Sequence, residues 1–390
     1  MIRILTSVEI IKDNPASDYL RFKYNDNSYQ EYLITNDAPE ACKTYVADLD
    51  NGERKICKDD RVYYLIEDGM QISNRCNLMG DDYRDNFKYC IFLINANFHG
   101  KEFSGVTFCG AIFNNGVSFF DSKFNDKVSF DRAQFIKSAD FVNVEFNKET
   151  SFKHAAFNEN VVFSGAKFSG EVNFVGTVFN DIVDFKIIKY IYTSNKVDPT
   201  PRFSKKVDFT SAIFNDVLDF SGVKNIDIDL KHAIIDRIEY GNVEFKSDNR
   251  ETFLTLKNAA LKQHDQIKAL EFHTQEYQTH FKNLEWAKED RGNKFILGFE
   301  YLVSNFGTNV WRSLVSLLVL TAVFYLVINR CNLDTESLVK FILPTSYDID
   351  TVFSFGVEWW GRWLFLLYKI LQFVMIYEVV KSFRKFSRTL

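Results

Sequence analysis

Residues 117–185 read VSFFDSKFNDK VSFDRAQFIKS ADFVNVEFNKE TSFKHAAFNEN VVFSGAKFSGE VNFVGTVFNDI VDF, and this segment determines how the rest of the chain is interpreted. Every complete block in this alignment has the same length, eleven positions, with Phe at the third and the eighth. A small residue, usually Ala or Val, stands two places before most of these Phe residues. A fixed period of this kind indicates one structural unit that is used many times.

Two backbone geometries are compatible with an eleven-residue period, and they place the Phe residues differently. One is a right-handed helical coiled coil. On a helix, which turns about 100° per residue, the third and sixth positions would point nearly opposite to the first and eighth, so no apolar face would form. In an extended chain, positions one and three share a face, as do six and eight, with a corner between them. The chain is therefore predicted to wind into four-sided coils, each made of two repeats.

The same spacing extends beyond the quoted segment in both directions. It begins near Cys76 or Cys90, is interrupted at residues 186–202, and continues in a weaker form to Phe245. Roughly seven coils stacked about 4.8 Å apart would form a rod about 30 Å long. The predicted aromatic core consists of Phe98, Phe103, Phe108, Phe113, Phe119, Phe124, Phe130, Phe135, Phe141, Phe146, Phe152, Phe157, Phe163, Phe168, Phe174, Phe179, Phe185, Phe209, Phe214 and Phe220.

The spacing A-x-F-x-x, with Ala or Val two places before Phe, resembles that of pentapeptide-repeat proteins, and the alternating steps of five and six residues resemble their Phe-rich variant. The resemblance covers roughly residues 76–245. It implies a mainly β fold, a right-handed quadrilateral β-helix with Phe and the small residue in the core. Some soluble members imitate DNA and bind type II topoisomerases. Acidic residues and lysines are interleaved here without an anionic stripe, so inhibition of a topoisomerase by DNA mimicry ranks third among the hypotheses, and a nucleic-acid partner is not expected.

The segments that flank and interrupt the coil have their own predicted roles. Residues 1–72 are predicted to form a small β-rich domain that caps the N-terminal edge of the coil, because an open edge invites pairing between molecules. The coil is assigned to residues 73–247. The interruption at 186–202 is too long for a corner and must leave the coil as a loop. Its Tyr190, Tyr192 and Lys196 form a candidate partner-binding surface, with packing against the rod as the alternative.

The C-terminal third has helical and then membrane-like patterns. Residues 248–308 are predicted to form a helical adaptor, and residues 309–390 contain two apolar segments, 310–328 and 359–380, followed by a basic tail. Lys and Arg accumulate before the first segment and after the second, whereas the connection at 329–358 is mainly acidic. Because basic residues flank spans on the cytoplasmic side, both termini and the rod are predicted to be cytoplasmic, in a bacterial inner membrane.

The composition narrows the class of protein. Of the 390 residues 40 are Phe, and the formal net charge is −5, without the basic excess of a nucleic-acid-binding protein. The six Cys residues form no CxxC motif, so zinc and redox sites are not expected and the thiols are predicted to be reduced.

Sequence motifs for catalysis are absent. The chain has no Gly-rich phosphate loop, GxSxG or HExxH motif, so we expect a non-enzymatic protein without a cofactor. His273, Glu276 and His280 fall at i, i+3 and i+7 on one helical face, a pattern that would suit metal ligands. An ordinary polar face of an amphipathic helix is the alternative, and no second ligand-bearing helix is evident.

Lys369 lies near the middle of the second apolar segment, with Gln372 three residues later and Glu378 nearer its end. A cation at that depth is costly and usually faces a bundle interior or water, so these residues are candidates for pore-lining or intramembrane polar sites. Alternatively, the span begins later, near Trp363, or Lys369 extends along its stem toward the headgroups. The connection between the spans is expected to be an interfacial loop anchored by aromatic residues, with a re-entrant loop as the alternative.

Two functions of different classes follow from these patterns. The leading hypothesis is a non-enzymatic protein, anchored in the lipid bilayer, whose rod binds a protein partner or acts as a sensor. The alternative is an ion channel or membrane-permeabilising effector, as in cell or phage defence, gated by the rod. Two spans cannot enclose a pore, so the alternative requires a homo-oligomer, which we also expect for the anchored protein.

Overall fold

The computed structural model describes residues 4–14, 17–35, 54–59, 61–67, 72, 87–185, 202–284, 291–329, 334–346, 348–353 and 357–387. The chain divides into two compact units, residues 1–255 and 256–390. The first unit contains a β-solenoid of about seven turns, and the second consists of helices. The predicted number of turns is confirmed.

Strands of the solenoid are mostly two residues long and pair in parallel with the strand one coil away. Val117 pairs with Ala139, Lys123 with Glu145, and Gln134 with Ile112, in each case the equivalent position two repeats along the chain. The pairings form four stacks, which we call columns A to D.

Column A contains β6 (Cys90–Phe92), β9 (Ile112–Phe113), β13 (Gln134–Phe135), β17 (Ala156–Phe157), β21 (Val178–Phe179), the first part of β25 (Ile213–Asp219) and of β27 (Ile234–Glu239). Column B contains β7 (Ala96–Asn97), β10 (Val117–Ser118), β14 (Ala139–Asp140), β18 (Val161–Val162), β22 (Val183–Asp184) and the end of β25 and of β27. Column C contains β8 (Glu102–Phe103), β11 (Lys123–Phe124), β15 (Glu145–Phe146), β19 (Lys167–Phe168) and β23 (Arg202–Phe203). Column D contains β12 (Val128–Ser129), β16 (Thr150–Ser151), β20 (Val172–Asn173), β24 (Val207–Asp208) and the end of β26 (Asn225–Asp229), while β28 (Glu244–Lys246) pairs with the first part of β26.

The five-residue steps of the ladder contain a tight turn. The N–H of Ala133 donates to the carbonyl of Phe130 at 3.0 Å, and Arg132 between them has φ = 58°. A positive φ at this position is that of a type II turn, which favours Gly or Asn. The same conformation recurs once in each repeat, at Asp121, Arg132, Asn143, His154, Gly165 and Gly176.

The twenty Phe residues predicted for the core are all buried, each with 1% or less of its surface exposed. Phe141 is representative, because its ring stacks on Phe119 and Phe163 of neighbouring coils at 5.0 Å between centroids. It also meets Phe130 and Phe152 edge to face, at 5.6 and 5.7 Å. Both arrangements are favourable for aromatic rings. The core is therefore a continuous set of stacked and perpendicular rings.

The N-terminal strands are β1 (Leu5–Asn14), β2 (Ser17–Tyr24), β3 (Tyr29–Leu33), β4 (Lys55–Lys58) and β5 (Arg61–Ile66). β5 pairs in parallel with β6 and so covers the first coil, while β4 pairs antiparallel with β5. β1, β2 and β3 form a separate antiparallel sheet, whose Leu5 and Val8 pack with Ile91 and Ile112 of the solenoid. Among the described N-terminal strands, β5 and its partner β4 therefore lie at the edge of the coil, and β1 packs on its side.

The cysteine prediction is wrong at one position. Cys57, on β4, is disulfide-bonded, whereas Cys90 and Cys109 form no disulfide. The spacing of the six Cys residues specifies no pairing, so no local pattern could have indicated this bond.

The helices begin at the end of the solenoid. In the first turns of α1 (Arg250–Lys262), the Thr252 side chain accepts from the N–H of Leu230 at 3.0 Å, and the Thr255 hydroxyl donates to the carbonyl of the same residue. In the rest of the solenoid, the following coil pairs with the equivalent N–H groups. At Leu230 the two Thr side chains of α1 take that place and satisfy its N–H and carbonyl.

The later helices are α2 (Gln266–Asn283), α3 (Arg291–Ser304), α4 (Val310–Ile328), α5 (Thr335–Ile342), α6 (Ile349–Val352) and α7 (Trp359–Ser387). Two of them, α4 and α7, are long and apolar enough to span a membrane.

Candidate functional site

The Lys369 side chain binds the C-terminal end of α5. Asp334 caps the start of this helix by accepting from the backbone N–H groups of Glu336 and Ser337, and Pro344 follows shortly after its end. The last carbonyls of a helix have no partner within it. Lys369 Nζ donates to two of them, Phe341 O at 3.0 Å and Leu343 O at 2.8 Å.

Gln372 completes this cluster. Its Nε2 donates to Ile342 O at 2.6 Å, and its Oε1 accepts from Lys369 Nζ at 3.3 Å. Both side chains are buried, with 4% and 3% of their surface exposed. A positive charge at a helix C-terminus is also stabilised by the helix dipole. The cation and the amide together satisfy three consecutive carbonyls.

Aromatic rings enclose the Lys369 ammonium group. Its Nζ lies 5.3 Å from the ring centroids of Phe365 and Tyr368 and 5.8 Å from that of Phe341. Phe341 has none of its surface exposed and stacks on Tyr368 at 4.3 Å. Cation–π contacts stabilise an ammonium group that has lost water. Lys369 is therefore held within the chain.

The segment between α4 and α7 does not stay at the ends of these helices. Lys369 lies ten residues into α7, or about 15 Å at the rise of an α-helix, and the end of α5 reaches it there. The segment then returns, because Asp350 in α6 accepts two hydrogen bonds from Arg362, in the first turn of α7, at 2.8 and 3.0 Å. The end of α5 therefore lies beside the middle of α7, and the expectation of an interfacial loop stays a prediction. The sequence missed this contact because Phe341, Phe353 and Tyr368 pack into one core that no local pattern reveals.

Glu378 belongs to a second buried cluster, nearer the C-terminal end of α7. Its Oε2 accepts from the Ser304 hydroxyl at 2.6 Å, and Ser304 Oγ accepts from the N–H of Gly307 at 2.8 Å. Lys381 Nζ lies 3.0 Å from Glu300 Oε1 and 3.7 Å from Glu378 Oε1. This cluster joins α3 to α7 and is separate from the Lys369 cluster.

The metal-ligand pattern on α2 is not assembled into a metal site. Glu276 is buried and forms an ion pair with Lys257 at 2.6 Å, while His273 Nδ1 lies 3.9 Å from the same carboxylate. Burial, with the nearby Lys257 charge as a second cause, lowers the pKa of His273. His280 lies further along α2 and is half-buried. Within the described ranges, no group of three or more His, Cys, Asp or Glu side chains could hold a metal ion.

The predicted partner-binding residues Tyr190, Tyr192 and Lys196 lie outside the described residues. On the described part of the solenoid, a shallow groove of about 420 Å³ is lined by Thr107, Lys127, Ser129 and Glu149, among others. Lys127 and Glu149 form an ion pair at 2.7 Å across it. The groove is lined by both apolar and polar residues, and no Cys or His is among them.

Sequence reasoning missed an apolar outer surface on column A. In each strand of column A, the outward residue comes directly before the buried one, which is Phe in every coil except the last, where it is Ile235. From coil to coil, the outward residues are Ile91, Ile112, Gln134, Ala156, Val178, Ile213 and Ile234. Equivalent positions of column C are charged: Glu102, Lys123, Glu145 and Lys167. The signal was visible in the sequence, but only when the chain is aligned by whole coils instead of by single repeats.

The N-terminal sheet covers the first part of this surface. Ile91 and Ile112 are buried under the sheet. Two hydrogen bonds join the sheet to the solenoid. The N–H of Val8 donates to Asn114 Oδ1 at 2.7 Å, and the Asn158 side-chain amide donates to Leu5 O. Beyond the sheet, Val178 and Ile213 are half-buried, and Ile234 has 61% of its surface exposed. We call Ala156, Val178, Ile213 and Ile234 the uncovered strip.

Comparisons of the chain with protein-family profiles, with curated proteins and with solved structures gave no match.

Proposed function

We propose that this protein is a non-enzymatic, membrane-anchored member of the pentapeptide-repeat class, with a right-handed quadrilateral coil that binds a protein partner through the uncovered strip. The observation that carries the binding role is the apolar character of column A, part of which the chain covers with its own sheet. The repeat spacing and the stacked Phe core support the class.

The anchoring role rests on the two apolar helices and on the way their polar residues are used. Lys369 and Gln372 are hydrogen-bonded to carbonyls of the same chain, and Glu378 is hydrogen-bonded to Ser304. Polar groups paired in this way can be accommodated in a bilayer, where unpaired ones cost several kcal/mol. The arrangement is that of a self-contained membrane domain.

The distribution of charge supports a cytoplasmic rod in the inner membrane of a bacterium. Lys and Arg lie before α4 and after α7, and the connection between them is mainly acidic. The disulfide at Cys57 is of a kind that is rare in a reducing cytosol, and so argues for the opposite side. We base the orientation on the charges, because they act on both spans during insertion, whereas the disulfide concerns one residue.

Protease added to inverted membrane vesicles should then degrade the rod, and protease added to intact spheroplasts should leave it whole.

The partner is expected to present an extended apolar segment. The contact between β1 and column A supplies the template, since it combines apolar packing with hydrogen bonds between peptide groups and Asn side chains, in both directions. The uncovered strip continues the same column, beside Asn180 and Asn215, whose side chains are hydrogen-bonded to each other at 2.7 Å. A strand laid across the strip would bury its apolar residues in the same manner.

Photo-cross-linking in cells tests the binding role. Benzoylphenylalanine at Ile234 should give a discrete protein adduct that disappears when Ile213→Asp is added. The same probe at Lys167, an outward residue of column C whose side chain is 43% exposed, should give none. Equal adducts at both positions, or an adduct that Ile213→Asp does not affect, would contradict the proposal.

The alternative function is an oligomeric channel, and the residues on which it depended are engaged within the chain. Ion flux from liposomes that contain the full-length protein separates the two functions. The anchored-rod proposal predicts no flux in the wild type and none in Lys369→Leu. Flux that Lys369→Leu abolishes would favour the channel.

A further inference from the structure

α3 exposes large apolar side chains along one side. Phe295 has 73% of its surface exposed, Ile296 59% and Leu302 65%. Phe295, the half-buried Phe299 and Leu302 are spaced at i, i+4 and i+7, so they form one stripe along the helix. A stripe of this size left in water is unfavourable and marks a contact surface.

Part of the remaining surface of α3 packs against the chain itself. Leu297 and Val303 are buried. Tyr301 stacks on Phe281 of α2 at 6.1 Å between ring centroids, and a Cβ on Gly298 would lie 3.4 Å from the same ring. The apolar stripe lies apart from these contacts.

Bonds to both apolar helices fix the position of α3. Glu300 and Ser304 bind Lys381 and Glu378 near the C-terminal end of α7. Leu302 O accepts from Arg312 Nε, in the first turn of α4, at 2.8 Å. α3 thus lies where the first apolar helix begins and the second ends.

The residues around this junction are those found at a bilayer surface. Trp311 is 78% exposed, and Trp is enriched at the boundary between acyl chains and headgroups. Arg291, Lys294, Arg312 and Lys381 are basic, so anionic headgroups complement this end of the helices. The apolar surface of α4 is exposed as well, for example at Leu318.

We infer that α3 is an interfacial helix, lying in the headgroup region of the bilayer with Phe295, Phe299 and Leu302 among the acyl chains. This inference rests on the proposed membrane anchoring. An amphipathic helix of this kind binds through buried apolar area together with attraction to anionic lipid. It gives the chain a third membrane contact, which the two spanning helices alone do not provide.

Photo-cross-linking to lipid tests this placement in the full-length protein. The protein is reconstituted in vesicles of phosphatidylethanolamine and phosphatidylglycerol, with benzoylphenylalanine at Phe295 or Leu302. A matched control carries the probe at Asn293, which is exposed on another side of α3. A probe at Leu318 of α4, which is 64% exposed, reports whether that helix is in lipid at all.

Mass spectrometry should find phospholipid adducts at Phe295 and Leu302 at least tenfold more often than at Asn293, and at a level comparable with Leu318. Adducts at Leu318 with none at Phe295 and Leu302 would overturn the interfacial helix and leave the anchoring intact. No lipid adduct at any position, including Leu318, would overturn the anchoring itself. A protein adduct at Phe295, from a second copy or another chain, would also overturn the inference.

Discussion

In the solenoid, a Phe side chain belongs to the core or to the surface according to which face of the extended chain it lies on. Phe119 and Phe120 are neighbours, yet Phe119 lies in the ring stack of the core, while Phe120 is partly exposed and stacks on His99 at 5.1 Å. The alternation of in and out along an extended chain explains the difference. The core Phe residues could therefore be predicted from spacing alone.

Phe141→Ala should destabilise the solenoid by about 3–5 kcal/mol, because it removes a fully buried ring with stacking neighbours on both sides. Phe120→Ala is the matched control and should cost about 1 kcal/mol or less. Urea unfolding of the full-length protein in detergent, followed by circular dichroism, measures both. Equal effects of the two substitutions would contradict the assigned core.

Lys369 could be singled out from the sequence, but its partners could not. A buried cation requires compensation, and the sequence places this one in an apolar helix. The compensating groups are backbone carbonyls of residues 341 and 343, and carbonyls have no sequence signature. The pairing is decided by how the segment between the spans folds.

Lys369→Met should release the C-terminal end of α5 and lower the stability of the protein in detergent by about 1–3 kcal/mol, since carbonyls are left without a donor. Lys340→Met is the control, because Lys340 lies on the same helix in an exposed ion pair with Glu336. Thermal unfolding and protease cleavage between residues 335 and 353 report the change. Unchanged cleavage in Lys369→Met would show that Lys369 does not hold this segment.

The sequence predicts the turns of the coil only in part. The repeat spacing predicts where the chain turns, but it does not reveal that the turn residue adopts a positive φ. Arg132, Asn143 and His154 do so without being Gly, because the hydrogen bonds of adjacent coils impose the turn. Such residues carry backbone strain that the solenoid as a whole compensates.

Gly176→Ala should destabilise the solenoid by roughly 1–2 kcal/mol, because Gly176 has φ = 65° and a Cβ would lie 2.5 Å from His154 Nδ1. Gly116→Ala is the control, since the nearest atom to its Cβ lies at 3.6 Å and its φ is not positive. Urea midpoints of the two variants provide the comparison. A cost for Gly116→Ala that equals or exceeds that of Gly176→Ala would contradict the turn geometry.

Ion pairs between coils should make the solenoid sensitive to acid. Hydrogen bonds to Lys167 and Lys127 lower the pKa values of Glu145 and Glu149. A lowered folded-state pKa gives stability that is present above the ordinary carboxyl value, near pH 4, and is lost as the pH falls through the folded value. Burial raises the pKa of Asp140, which has the opposite effect.

Glu145→Gln combined with Glu149→Gln should therefore flatten the decline of the urea midpoint between about pH 5 and pH 3. The effect is small, because these pairs are largely exposed and screened by salt. Asp140→Asn should make the decline steeper. A double variant with the same pH dependence as the wild type would exclude the ion pairs as its cause.

At the scale of the whole molecule, the sequence predicted a solenoid and two apolar helices but not the packing around them. The N-terminal sheet lies on column A because Ile91, Ile112 and Ile136 face outward there, a pattern visible only after the coils are stacked. The exposed stripe of α3 could be read from i, i+4 and i+7 spacing, although its neighbours α2 and α7 decide which side is left open. Long-range contacts of this kind carry no local signal.

The most direct test of the membrane-anchored solenoid is flotation of the full-length protein with liposomes on a density gradient after a wash in alkaline carbonate. The account predicts that the protein rises with the lipid and stays there, because α4 and α7 are inserted. Recovery of a folded, monodisperse protein in the aqueous fraction, without lipid or detergent, would contradict it.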